Sequence, residues 1–192
     1  MIISHNKKFI YVHIPKTAGR AIADFLSNGY EVEEKEVHAK PAEYACFLIK
    51  YKRFTSVRHP LDRLVSWFFF IRKISYLQNI DLSLRSLVDI EFEQFVKEQL
   101  PTMREHGHFD TILPQTEWFD TEYPYDDIIR YESINEDVQR IAEKLDICNS
   151  LRILNQTDFD RKHYMTYYDN EMIDLAYKFY ETDFVQLGYS ME

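Results

Sequence analysis

The chain is short of several things, and each shortage excludes a class. It has two cysteines in 192 residues, Cys46 and Cys148, which make neither a disulfide framework nor a metal-ligand spacing. Buried free thiols are the default expectation for both. It lacks a long apolar run: the strongest, Leu64 to Ile71, is broken by Ser66 and followed by Arg72 and Lys73, too short to span a bilayer. The N-terminus, MIISHNKKF, has no apolar stretch between a charged and a cleavage region. No secretory signal is expected, and the setting reads as cytoplasmic.

Positive charge is also scarce. Lys and Arg number 23 against 32 Asp and Glu, for a formal net charge of −9, which argues against nucleic-acid binding. An anionic ligand remains compatible where basic residues gather locally. There is no internal repeat, low-complexity segment or linker rich in Pro, Gly and Ser. Hydrophobic content is 45%, with 14 Phe and 14 Tyr, so residues 1–192 read as one globular domain with a sizeable core. Glycine is down to four residues, which makes the position of each informative.

One of the four, Gly19, stands in FIYVHIPKTAGRA (Phe9 to Ala21). The β-branched and aromatic run Phe9 to Ile14 reads as a strand and ends at Pro15. The loop Lys16-Thr17-Ala18-Gly19 follows, and a helical pattern runs from Arg20 to Asn28. Strand, tight loop and helix point backbone N–H groups and a helix dipole at one anion. Gly19 is expected to serve a positive φ or a close approach to ligand.

A second segment, FTSVRHPLDRLVSWF (Phe54 to Phe68), repeats the strand-to-helix plan. The strand Phe54 to Val57 ends at Arg58, and Pro60 suits a first helical turn. The spacing of Leu61, Leu64, Val65, Phe68 and Phe69 predicts a helix to about Ile74. Arg58 carries a planar fork that matches phosphate oxygens, and Ser66 lies on the following helix. Further on, Leu87 to Leu100 reads as an amphipathic helix stopped by Pro101, and Asp127 to Tyr131 as a buried strand. Ser133 to Glu136 has a capping-box pattern before a helix with Ile134, Val138, Ile141, Ala142 and Leu145 on one face. A last helix is expected over Asn170 to Tyr180. The alternation predicts a three-layer α/β/α fold with a central parallel sheet and a nucleotide-kinase-like phosphate loop.

The pair PKTAGRA and SVRHPLDRLVS resembles the two cofactor motifs of sulfotransferases that use 3′-phosphoadenosine 5′-phosphosulfate, particularly the carbohydrate-modifying, family 2-like branch. The first is similar to their 5′-phosphosulfate loop, usually PKTGGTS or PKTAGTS, and the second to their 3′-phosphate motif, usually VRNP or IRDP. Weaker likeness continues through LPQTEWF, DDIIRYESINEDVQRIAEKLDI and DFVQLGY, nearly the whole chain. The resemblance implies that Lys16, Thr17, Ala18, Gly19, Arg20 and Ala21 hold the 5′ end of the cofactor. Arg58 and Ser66 would hold the 3′-phosphate, with Arg63 either bracing the loop or pairing with an acid. The chain departs from the pattern at Arg20 and Ala21, where two hydroxyls are absent, and at His59, where Asn or Asp is usual.

What the resemblance implies is transfer of a sulfuryl group to an acceptor hydroxyl, most simply of a saccharide or glycolipid, with 3′-phosphoadenosine 5′-phosphate as product and no metal. Protein tyrosine and small alcohols stay open as acceptors, and the oligomeric state is not readable. Lys16 is the candidate for stabilising the leaving phosphate. A base is needed, and His titrates near neutrality. His38, between the motifs, matches the base histidine of carbohydrate sulfotransferases; His108 is the next candidate, then Glu34 and Glu36. His13 reads as structural and His5 as a flexible terminus. His106 and His108 lack a third metal ligand. Arg161 or Lys162 is a candidate for a phosphate-closing loop. Trp67, Phe68, Phe69 and Phe70 read as core, whereas Trp118 and Tyr123 are the candidates for sugar stacking. Two rival readings remain: a phosphate-loop kinase, against which stands the absence of GxxxxGK[ST], and a non-catalytic nucleotide- or glycan-binding domain.

Overall fold

A computed structural model of the chain describes residues 1–28, 30–34, 50–77, 87, 89–103, 110–122, 124–148 and 162–191. It packs as two compact units, one of Met1–Arg58 with Glu117–Phe159, the other of His59–Thr116 with Asp160–Glu192.

The first unit holds the sheet. Its strands are β1 (Ile2–Ser4), β2 (Phe9–Val12), β3 (Glu33–Glu34), β4 (Lys52–Val57) and β5 (Asp127–Arg130), in the order β3-β1-β2-β4-β5. β2, β4 and β5 run parallel, with Tyr11 opposite Phe54 and Val57 opposite Arg130. β1 pairs antiparallel with both β2 and β3. The sheet is therefore mixed, not the purely parallel one predicted. The difference lies in the N-terminus, which forms a hairpin with β2 through residues 5–8, where Lys8 turns the chain at φ 55°. His5 is correspondingly no loose terminus. Its Nδ1 lies 2.8 Å from the Tyr51 hydroxyl and its Nε2 3.2 Å from Glu33.

Every residue of β2 is buried, as suits a central strand covered on both faces. Phe9, Tyr11 and Phe54 pack with Ile22, Phe25 and Leu26 of α1 (Gly19–Ser27) and with Val138, Ile141, Ala142 and Leu145 of a later helix, Ile134–Leu145. The face predicted for that later helix is the one it buries. Its capping box, however, does not form. The Ser133 hydroxyl donates to Asp137 Oδ2, which also accepts from Arg130 N–H. Cys148, expected to be buried, is exposed.

Among the described residues, the regular elements of the second unit are all helices. α2 (Pro60–Leu77) opens it; α3 (Phe92–Gln94) runs on as a π-helical turn, Phe95–Gln99, and a tighter turn, Leu100–Thr102. The expected helix from Leu87 thus starts later, and Pro101 lies inside its last turn. Numbered in chain order, Ile134–Leu145 is α4, and α5 spans Asn170–Leu187. α5 outruns its predicted end at Tyr180, where φ −108° and ψ 20° mark a kink inside the helix. It stops at Gly188, whose φ of 67° lets Tyr189 N–H reach Phe184 O, a glycine-terminated helix end. Trp67, Phe68, Phe92 and Phe95 are buried together, with Phe69 and Phe70 half-buried against them, so the Trp67-to-Phe70 run is core. Among the described residues no helix is long and apolar enough to cross a membrane.

Candidate active site

The loop after β2 is built on backbone that few residues adopt. Lys16 and Ala18 are both left-handed, at φ 68° and 65°, a conformation costing about 1–2 kcal/mol for a residue with a Cβ. Such positions persist where surroundings over-determine them and gather at ligand clamps. Ala18 caps α1; the first helical bonds run from Ala21 N–H and Ile22 N–H to Ala18 O. The N–H groups of Gly19 and Arg20 therefore precede the helical ladder. No acidic residue stands in the first turn of α1, so nothing there opposes an anion at its positive end.

Gly19 is required for a reason other than the expected one. It does not take a positive φ. A Cβ at this position would meet His13 Cδ2 at 1.8 Å and Nε2 at 2.1 Å, so the imidazole of His13 lies directly on the glycine. His13, read from the sequence as structural, packs on the loop itself. Thr17 is fully buried; its hydroxyl donates to Ile14 O at 2.8 Å and lies 2.7 Å from Ser56 Oγ. Its side chain faces the sheet, so what Thr17 offers a ligand is its backbone. Arg20 is exposed and Ala21 is buried.

Arg58 leaves the end of β4 and is 4% exposed. Its Nη1 donates to Lys16 O at 3.3 Å, and its guanidinium stands 3.9 Å over the ring of Tyr131, a cation–π distance. Parallel register explains the meeting: Val57 sits opposite Arg130, so the next residues, Arg58 and Tyr131, leave adjacent strand ends together. Tyr131 was missed as a site neighbour by sequence reasoning, since only strand register reveals it. The half-buried Lys16 and the buried Arg58 thus concentrate positive charge at one loop.

In the second unit, Ser66 is half-buried on α2. Arg63 is 1% exposed and braces the chain, donating to Thr111 O and Leu113 O at 2.9 Å each. His59 is buried; its ring stacks on Tyr164 at 4.9 Å and meets the edges of Phe184 and Tyr189, while Nε2 lies 2.9 Å from Ser190 O. An aromatic setting accounts for a histidine here in place of a small polar residue. Asp183, fully buried, accepts from the N–H groups of Gln115 and Thr116 at 2.8 and 2.9 Å, which fixes the start of the LPQTEWF segment.

Trp118 is 1% exposed, and its carbonyl accepts from the Tyr125 hydroxyl at 2.7 Å. It is core and not a stacking platform, because a ring with no open face receives no sugar. Lys162 is exposed, and Glu34 lies on β3. His38, His106, His108, Glu36, Tyr123, Arg161 and Cys46 lie outside the described residues.

No curated protein and no solved structure matches the chain. The family model described as "Sulfotransferase family" matches residues 1–190. With a match over nearly its whole length, the chain belongs to the sulfotransferase family.

Proposed function

We propose that the protein transfers a sulfuryl group from 3′-phosphoadenosine 5′-phosphosulfate to a hydroxyl of a carbohydrate or glycoconjugate. Family membership gives a sulfuryl transferase acting on an acceptor hydroxyl; donor and acceptor are our reading. The observation that carries it is the loop Lys16–Gly19, with two left-handed residues, a helix start free of acids, and buried Arg58 tied to Lys16 O. Those residues fit a terminal phosphate group. The three-layer arrangement belongs to the same proposal.

When bound, the donor supplies an activated sulfuryl group whose leaving group is a phosphate. The chain's residues then hold and compensate charge. The backbone of Lys16 to Arg20 binds the 5′ end, and the Lys16 ammonium offsets the negative charge that develops on the leaving phosphate. Arg58 and Ser66 are assigned to the 3′-phosphate. His38, then His108, is assigned to remove the acceptor proton. Positioning and electrostatics carry such a transfer, as in phosphoryl transfer.

Calorimetric titration with adenosine 3′,5′-bisphosphate beside ATP and AMP tests the donor class. The expected result is binding that requires the 3′-phosphate and falls in Arg58→Ala. At about a hundred times its Kd the ligand should also add roughly 2.7 kcal/mol of stability. A preference for ATP would replace the reading with a kinase-like one. The exposed Arg20 and buried Ala21, which offer no hydroxyl, favour the second reading of a nucleotide binder without turnover. Tight bisphosphate binding without transfer to any saccharide would select it.

A further inference from the structure

We propose that Tyr11 and Ser56 are positioning residues of the anion loop, acting through the Thr17 hydroxyl. Three hydroxyls lie in a row beneath the loop: Tyr11 OH is 2.6 Å from Ser56 Oγ, Ser56 Oγ is 2.7 Å from Thr17 Oγ1, and Thr17 Oγ1 is 2.8 Å from Ile14 O. All three residues are 0% exposed. The proton order follows from what each atom can do. A carbonyl only accepts, so Thr17 spends its one proton on Ile14 O. Ser56 must then donate to Thr17, and Tyr11 to Ser56. The chain has one direction, from β2 through β4 into the loop.

This arrangement is costly unless it is used. Buried hydroxyls on a central strand are penalised unless paired, and an apolar residue at 56 would bury as well. Each hydroxyl here is paired along a single path that ends at the loop. Burial pushes the Tyr11 phenol far above its ordinary range, opposed by its bond to Ser56, so Tyr11 stays the neutral donor the chain needs. Thr17 stands between Lys16 and Ala18, the two left-handed residues. Pinning its side chain inward over-determines the strained backbone on both sides. Lys16 and the N–H groups that follow are thereby held in their receiving form before an anion arrives, which is where preorganisation acts.

The inference rests on the reading that this loop receives the phosphate end of a nucleotide donor. Its test uses the full chain, with Thr17→Val, Thr17→Ser, Ser56→Ala and Tyr11→Phe, titrated with adenosine 3′,5′-bisphosphate. Amide hydrogen exchange is followed in ligand-free protein at residues 15–21 and at α4. Thr17→Val, which removes the bonds to Ile14 O and Ser56, should weaken binding by about tenfold and speed loop exchange by a similar factor, the scale on which buried hydrogen bonds are lost. Thr17→Ser, which keeps the hydroxyl, should restore affinity to within about twofold, and Ser56→Ala should fall between. Should Thr17→Val fail to fold, Tyr11→Phe carries the test, with an expected loss of about threefold.

Unchanged affinity and loop exchange in Tyr11→Phe and Thr17→Val, with wild type binding, would overturn the positioning role and leave the nucleotide reading standing. Exchange that rises equally at α4 would overturn it too, by making the chain a general fold support. No binding by wild type would remove the nucleotide reading, and this inference with it.

Discussion

The two units of the molecule differ in what lies at their centres. The sheet unit carries buried polar side chains in its centre, Ser4, Thr17, Thr55 and Ser56, each 0% exposed and each hydrogen-bonded. The helical unit has buried polar groups too, Arg63 and Asp183, but they bond main chain at Thr111, Leu113, Gln115 and Thr116. Its centre is a set of aromatic rings, Trp67, Phe68, Phe92 and Phe95, with centroids 5.2 to 6.5 Å apart. Rings fill space and tolerate adjustment, whereas a hydroxyl chain fixes direction and fails if one member is lost. The strained loop sits in the unit able to impose direction. Changes among the rings should therefore register as stability, and changes around the loop as binding and turnover.

The largest effect expected is in the rings. Phe95 is 0% exposed and stacks on Trp67. Phe95→Ala should lower unfolding free energy by about 3–5 kcal/mol, the usual cost of emptying an aromatic site. Denaturant unfolding gives the loss, and a bisphosphate titration on the folded fraction should show affinity within about twofold of wild type, because Phe95 is not among the residues assigned to the ligand. Affinity that collapses with stability would erase the distinction between the units.

Lys16→Ala should do the reverse. Alanine meets the same backbone demand at φ 68°, and the side chain is half-exposed, so stability should stay within about 0.5 kcal/mol. Release of adenosine 3′,5′-bisphosphate from the donor, with a panel of saccharides as acceptors, should fall by about 10²–10³-fold, the range for removing one preorganised charge stabiliser. Near-normal turnover would remove Lys16 from its assigned role.

Local pattern made the frame of both segments legible. The apolar run before Pro15 and the helical spacing after Gly19 placed β2 and α1 to within two residues, and Pro60 marked the start of α2. Relations across the fold were not legible. β1 is three residues long and its turn contains no glycine, so no hairpin signal announced it. Tyr131 meets Arg58 only through the β4–β5 register. The inward turn of Thr17 depends on Ser56, a strand away. Trp118 looked suited to sugar because composition cannot tell a buried tryptophan from an exposed one. α5 passed its expected end because a kink at Tyr180 interrupts the helix without stopping it.

Gly19 separates packing from ligand approach as the reason for its glycine. In Gly19→Ala the new Cβ would fall 2.5 Å or less from three atoms of the His13 ring, so ring or loop must move. Bisphosphate affinity should drop by about tenfold, the result of a displaced loop. Adding His13→Ala should recover most of the loss, because it removes the obstacle. A double variant no better than the single one would mean that the bare backbone at 19 is needed by the ligand.

Acid should reach the sheet unit before the helical one. Asp126, Asp127 and Asp137 of the first unit have carboxyl pKa values below the ordinary range; partial burial pushes each up, but hydrogen bonds and cations outweigh it. For Asp127 those cations are Lys144 and Arg140, for Asp137 Arg140 at 2.6 Å together with Arg130 N–H. In the second unit Asp169 is the described carboxylate so lowered, by Met172 N–H and then Lys97. A carboxylate with a depressed folded pKa contributes stability that is full above its unfolded value, about 3.9, and is lost as pH falls through the folded value. Exposure of Arg140 and Lys144, at 39% and 52%, keeps each pair to less than about 1 kcal/mol. Hydrogen-exchange protection should hold from pH 7 to about 5 after correction for intrinsic rates, then fall at α4 more than at α5 below about pH 4. Asp127→Asn should lessen that fall at α4 and leave α5 unchanged. Protection lost first at α5 would show that the rings, and not the charged pairs around β5 and α4, yield first to acid.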